Sequence, residues 1–279
     1  MRCLVIGHIT HDIILKGSER IERVGGGAYY SSLALSKFCE VVVLTKLGEN
    51  FPISWLNELE EHGISVIIIP SKNSTTYELK YINENRRTLR LLSKAEPFSL
   101  EEIPEGKFDM ILLNPVANEI PPEIVHKFKE KWLAVDIQGF IREVKNESII
   151  LKDIDGSFLS KVKILHADVN EFKHLNNIDP KKVDVLLISN GPESGTAYHE
   201  GQRYLYKPIK KDVKESTGAG DVFLAAFSYF YKTLPFIPAL KSANAFTAMF
   251  LEKRNFDFSL NEVSEKAKFV EVEKVDSEK

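Results

Sequence analysis

Seven runs dense in branched aliphatic residues recur along the chain: CLVIGHI, EVVVLTKLG, SVIIIP, FDMILLNP, WLAVDIQG, VKILHADV and DVLLISNG. Strands this uniformly apolar have no face left for water, so they belong inside a parallel sheet covered on both sides. Between several of them lie segments with helical spacing, AYYSSLALSKF, PISWLNELEEHG and PPEIVHKFKEKW, the last opened by prolines that a first helical turn tolerates. The alternation predicts an α/β fold, a central mostly parallel sheet flanked by helices and joined by right-handed crossovers. At 279 residues the chain suits one such domain, residues 1–279, with no internal repeat and no low-complexity linker.

Two segments break the rhythm. Residues 12–24 (DIILKGSERIERV) and 75–93 (TTYELKYINENRRTLRLLS) alternate polar and apolar residues, and the second reads as a hairpin turning at Asn83 to Asn85. They predict a small half-exposed sheet beside the main one. Residues 262–279 are charge-rich and read as a peripheral tail, either helical or frayed.

With 37 basic against 40 acidic residues and a formal charge of -3, nothing draws the chain to nucleic acid or to an anionic membrane. No run approaches the roughly 20 apolar residues of a membrane helix, and MRCLVIGHITHD, broken by His8, His11 and Asp12, reads as a first strand rather than a signal peptide. Cys3 and Cys39 supply neither a disulfide framework nor zinc spacing, which predicts a reducing, cytoplasmic setting. The expected partner is a small molecule, with assembly into a homodimer left open.

The stretch KESTGAGDVFLAAF, residues 214–227, places two glycines and an aspartate before a strongly apolar helix. Free amides and the positive dipole end at a helix N-terminus attract anions, and glycine lets the backbone approach a phosphate closely. A carboxylate beside a phosphate is unfavourable unless it takes a proton from an attacking hydroxyl. Thr217 and Asp221 equally suit the plain capping of a buried helix, so the motif alone leaves both readings open.

STGAGDVF resembles the signature of the ribokinase-like (PfkB) carbohydrate kinases, and VGGGAYYSSLAL (24–35) resembles that family's N-terminal glycine motif. LLNP (112–115), DIQGFIR (136–142), DVNE (168–171) and SNGPESG (189–195) follow in the family's order. The resemblance spans residues 2–255 and is nearest to the myo-inositol kinase branch. It implies a ribokinase-like domain with a small β lid formed by 12–24 and 75–93. It also implies transfer of the γ-phosphate of ATP, with Mg2+, to a hydroxyl of a small polyol or sugar, myo-inositol first.

By the same resemblance Asp221 is the base, and the amides of Ala219, Gly220 and Asp221 after Gly218 form the anion hole. Asp168 and Glu171 help hold magnesium, Asp168 standing where the family has Asn. Ser189, Gly191, Gly195 and Thr217 lie along the nucleotide, with Asn244 in the segment bordering adenine. Asp12, Gly26, Gly27, Asn114, Asp136 and Gln138 surround the acceptor. Asp136 and Gln138 equally suit loop backbone, and Asn114 a plain turn. Tyr29, Tyr30 and Ser31 occupy the place of a usual sugar-binding Asn. Glu215 and Ser216 replace the Asp-Thr that precedes the anion hole, which puts the family's monovalent-cation site in doubt.

A nucleoside kinase, with Tyr29, Tyr30 or Tyr77 stacking a base, is the alternative within the family. A non-catalytic protein that binds nucleotide or sugar is the alternative outside it. The seven histidines show no metal spacing and read as structural, as do Trp55 and Trp132. Arg86, Arg87 and Arg90 are solvated or reach substrate when a lid closes.

Overall fold

The computed structural model describes residues 1–83, 86–209 and 215–275; the turn expected at Asn83 to Asn85 and the side chains of Arg86 and Arg87 lie outside the described residues. The chain opens with β1 (Arg2–Ile6), β2 (Thr10–Lys16), β3 (Glu19–Gly25) and α1 (Gly27–Ser36). β4 (Glu40–Gly48), α2 (Asn57–Glu61) and β5 (Ser65–Ser71) follow, then β6 (Thr76–Asn83) and β7 (Arg86–Ser93). Next come β8 (Met110–Leu113), α3 (Pro122–Phe128), β9 (Leu133–Asp136) and α4 (Gln138–Ile141). β10 (Arg142–Lys145), β11 (Ser148–Leu151) and β12 (Ile154–Asp155) lead to β13 (Ile164–Asp168), α5 (Val169–Phe172) and β14 (Leu175–Asn176). The chain continues through β15 (Val185–Ser189), β16 (Gly195–His199), β17 (Gln202–Lys207), α6 (Ala219–Thr233), α7 (Phe236–Lys253), α8 (Leu260–Ala267) and β18 (Glu271–Val275).

The main sheet runs β18-β17-β16-β15-β13-β9-β8-β1-β4-β5. Every pair from β15 to β5 is parallel, and the three pairs at the other edge are antiparallel. Both faces are buried, and the strand sequences show why. Cys3, Val5, Val43, Leu112, Ala134, Ile164 and Leu187 point into one core with α1, α6 and α7. Leu4, Ile6, Leu44, Leu113, Val135, Leu165 and Leu186 point into a second core with α3. Each of these central strands feeds two cores by alternation, so it has no polar face to show, whereas β5 at the sheet edge leaves Ile67 and Ile68 exposed, against the expectation from its uniformly apolar run.

A second sheet, β10-β11-β7-β6-β2-β3, stands beside the first and includes the segments 12–24 and 75–93. Tyr77, Leu79 and Leu91 on its inner face pack with Val116 and Ala117 from the loop after β8.

Cys3 and Cys39 form a disulfide, with Cα atoms 6.6 Å apart, which corrects the expectation that the two cysteines stay unpaired. Parallel pairing sets Cys3 opposite Val41, and Cys39 enters β4 two residues earlier. Sequence spacing does not reveal that adjacency. Of the two forms expected for the tail, the helix is present as α8 (260–267), closed by a Ser259–Glu262 capping box, while β18, an edge strand on β17, was not expected. Within β18, Val272 packs against the core while its charged neighbours face water, so polarity there marks an edge rather than fraying. Among the described residues no helix is long and apolar enough to cross a membrane.

Candidate active site

The chain runs outward from β1 through β4 to β5, then returns to the other side of β1 as β8. At such a reversal the loops beyond the carboxyl ends of neighbouring strands part and leave a crevice. A cleft of about 660 Å³ opens there, walled by the strand ends, the start of α6 and Tyr77, Tyr81 and Leu89 of the second sheet. Strand parity selects its residues. Asp136 follows Ala134, His166 follows Ile164 and Ser189 follows Leu187, each two residues beyond a side chain that faces α6.

α6 begins at Ala219 behind Gly218, whose φ of +83° is left-handed. A Cβ on Gly218 would also lie 2.5 Å from the Tyr30 ring, so backbone shape and space both require glycine. The Ala219 amide donates to Ser216 O at 3.1 Å, a turn that removes it from the expected anion hole. The amides of Gly220 and Asp221, in the helix's first turn, have no helical carbonyl within reach and remain to meet an anion.

Asp221 lines the cleft in that turn. Asn114 Nδ2 donates to its Oδ1 at 3.4 Å, while Asn114 Oδ1 has no partner and Asn114 itself is buried behind the wall. A Cβ on Gly27 would stand 2.7 Å from Asp221 Oδ1, so a bare glycine lets the start of α1 approach this carboxyl. Burial, and then the charge of Asp136, push the Asp221 carboxyl up to about 7, against the opposing pull of His166 and Asn114.

The acceptor candidates meet on the other side. Asp12, on β2, accepts from Thr10 Oγ1 at 2.7 Å and is 5% exposed; Gly26 caps α1 beside it. Asp136 Oδ1 accepts from the Gln138 amide at 2.8 Å, and its Oδ2 lies 2.7 Å from His166 Nδ1. Each Asp136 oxygen keeps a lone pair for a ligand. Gln138 Oε1 accepts from Arg142 Nη2 at 2.6 Å, and Arg142 Nη1 donates to Val116 O at 3.0 Å.

Of the residues expected along a nucleotide, Ser189, Gly191, Thr217 and Asn244 all line the cleft. Gly195 does not, which corrects its expected place: it starts β16, where a Cβ would collide with the Tyr206 ring. Asn244 Nδ2 donates to Leu240 O at 2.8 Å, within α7. Asp168 and Glu171 cap α5 reciprocally, the Asp168 amide donating to Glu171 Oε2 at 2.9 Å and the Asn170 amide to Asp168 Oδ1 at 2.8 Å. Burial and the Asp136 charge raise Glu171 to about 7. Among the described residues no three His, Cys, Asp or Glu side chains form a metal cluster. Two carboxylates on one rim still fit magnesium, which keeps most of its ligands from phosphate and water.

His166, Arg142, Arg23 and Arg254 were not foreseen as site residues. Burial alone would lower His166, but the hydrogen bond to Asp136 and the charges of Asp136, Glu171 and Asp221 outweigh it and hold its pKa above the ordinary value. Arg23 on β3 pairs with the Glu215 carboxylate, and Arg254 Nη1 donates to the carbonyls of Glu215 at 3.3 Å and Thr217 at 3.1 Å. Apart from Gln138, four positions before Arg142, their partners lie 23 to 192 positions away, so strand pairing and helix packing reveal them.

The pfkB family carbohydrate kinase model matches residues 154–262. Inositol 3-kinase of Arabidopsis thaliana is 29% identical over 241 residues, covering 80% of this chain and 66% of that protein, so the chain spans just under two thirds of that relative's length. Cytidine kinase of Thermococcus kodakarensis is 26% identical over 244 residues, covering 80% of this chain and 86% of that one. Among solved structures, a pyrophosphate-dependent kinase in the ribokinase family, complexed with a pyrophosphate analog and myo-inositol, superposes with a TM-score of 0.80 at 21% identity. That match covers 94% of this chain and 99% of the other.

Proposed function

We propose that this chain is a ribokinase-like carbohydrate kinase of the pfkB family and transfers the γ-phosphate of ATP to a hydroxyl of a small polyol, with myo-inositol as the first acceptor. The observation that carries the proposal is a carboxyl raised to about 7 at a helix N-terminus, facing one cleft with Asp12, Asp136 and Gln138.

The acceptor hydroxyl gives its proton to the Asp221 carboxylate as its oxygen bonds to the γ-phosphorus. The bond from that phosphorus to the β–γ bridging oxygen breaks, and ADP leaves with the electron pair. The Gly220 and Asp221 amides meet the charge that develops on the transferred group. Magnesium, held from Glu171 and Asp168 through the donor phosphates, would supply neutralising charge. The Glu171 fit supports this: its half-buried carboxyl feels the Asp136 charge and resists ionisation, a cost that a nearby cation offsets.

The tyrosines favour a polyol over a nucleoside. Tyr29 lies off the cleft with its hydroxyl bonded to Glu58, and Tyr30 packs its ring on Gly218. Tyr77 bonds Val116 O, and its ring carries the Arg142 guanidinium 5.7 Å from the centroid. Tyr30 and Tyr77 reach the cleft, but all three rings are nearly fully buried against protein, which supports a polyol over a stacked base. ATP is favoured over pyrophosphate because the cleft continues to an apolar shelf of Pro208, Ile209, Ala248 and Leu251, which pyrophosphate would leave empty.

A coupled assay over ATP and pyrophosphate as donors, with inositols, sugars and nucleosides as acceptors, tests the proposal. Fastest transfer from ATP to an inositol is expected. A nucleoside turned over far faster than any inositol or sugar would overturn the acceptor, and transfer from pyrophosphate alone would overturn the donor.

A further inference from the structure

Strand register sets His166 of β13 directly opposite Asp136 of β9, on the face that looks toward α6. The His166 Nδ1–H donates to Asp136 Oδ2 at 2.7 Å, and Nε2 shares a hydrogen with Ser189 Oγ at 3.2 Å on the next strand. Its ring meets Phe223 of α6 edge-on, with centroids 5.9 Å apart. Its Cε1 lies 3.1 Å from where a Cβ on Gly220 would stand.

One imidazole, 3% exposed, thus touches a carboxylate on the acceptor side, a hydroxyl on the donor side and the helix turn that carries Asp221. A position that needed only volume would take an aliphatic side chain, because burying an imidazole costs free energy unless both nitrogens are satisfied. Here both are satisfied, and each by a residue of a different half of the cleft.

We propose that His166 is a positioning residue that orients Asp136 through Nδ1 and Ser189 through Nε2, holding acceptor and donor in register for transfer. This rests on the proposed function, specifically on Asp136 facing the acceptor and Ser189 the donor. With its Oδ2 gripped by His166 and its Oδ1 by the Gln138 amide, Asp136 offers its free lone pairs in one fixed plane. Loss of the first grip lets the carboxylate turn, and loss of the second nitrogen leaves Ser189 Oγ only its 3.4 Å bond to Ala167 O.

Two shortened or lengthened amides separate the nitrogens. His166→Asn places an amide near the position of Nδ1 and nothing at Nε2, whereas His166→Gln reaches the position of Nε2 and leaves Asp136 Oδ2 without its donor. With myo-inositol and MgATP each varied against saturating amounts of the other, His166→Gln is expected to raise the myo-inositol KM about tenfold and move the ATP KM by less than about twofold. His166→Asn is expected to do the reverse, and Ser189→Ala, which removes only the Nε2 partner, to reproduce it.

A role in packing alone would lower the unfolding temperature and kcat without separating the two KM values. That pattern, or wild-type KM values in all three variants, overturns the proposal. Failure of the functional reading is distinguishable. If the wild-type chain prefers another acceptor, the same split is read on that acceptor. If it transfers no phosphate at all, calorimetric titration of myo-inositol and ATP into wild type and variants reads it in dissociation constants, and equal shifts for both ligands again overturn it.

Discussion

In the proposed mechanism Asp221 is a base whose environment opposes its charge. Burial and Asp136 raise its carboxyl from an ordinary 3.8 to about 7. The ionised form accepts the proton, so kcat/KM is expected to rise with pH through about 7 and level off above it; a profile flat from pH 5 to 8 would remove Asp221 from the role. Asp221→Asn keeps the shape, and turnover should fall about a hundredfold or more while calorimetry still finds ATP bound. Stability moves the other way. A carboxyl raised on folding favours the folded state while protonated, and that contribution is lost as pH rises from about 4 through about 7. Asp221→Asn should therefore unfold at a higher temperature than wild type at pH 8, and the gap should close toward pH 4. Asp221 and its glycines were legible because they are consecutive in sequence. His166, 30 positions from Asp136, became legible only through the register of β13 on β9.

At the scale of elements, the loop into α6 is gripped from two directions. Glu215 pairs with Arg23 of β3, while its carbonyl and that of Thr217 receive Arg254 from the end of α7. The second sheet is thereby tied to the turn before α6, and closure over a substrate is expected to move Gly220 and Asp221 with it. Bound myo-inositol and ATP should slow hydrogen exchange in 12–24 and 75–93, and Glu215→Gln should weaken that protection in β3 first. Exchange that ignores both ligands would show that the sheet does not close. Uniform apolar runs made the parallel sheet legible, and alternation did the same for β2, β3, β6 and β7. β10, β11 and β18 were not, since REVK and EVEKV at sheet margins expose most of their residues and carry little hydrophobic signal, and SIIL is only four residues long with alternate residues exposed.

Across the whole molecule, chemistry and covalent bracing sit at opposite ends of the sheet. The cleft lies beyond the carboxyl ends of the strands, while the Cys3–Cys39 disulfide ties the amino end of β1 to the entry of β4. The bridge closes 36 residues, which include β2, β3 and α1 with Asp12 and Gly27. Holding a loop of that length shut in the unfolded chain stabilises the fold by about 4 kcal/mol in the chain-entropy account. In a chain of this size such a change corresponds to roughly 8–16 °C in unfolding temperature. The bond does not touch the cleft, so its loss should leave the arrangement of Asp12, Asp136 and Asp221 in place. Cys39→Ser, or full reduction checked by thiol titration, is expected to lower the unfolding temperature in calorimetry while both KM values at 25 °C stay within about twofold of wild type. An unchanged unfolding temperature would show that the bridge contributes nothing to the fold. A shifted acceptor KM would show that the amino end of β1 communicates with Asp12 through the strand, and that bracing and chemistry are not separate.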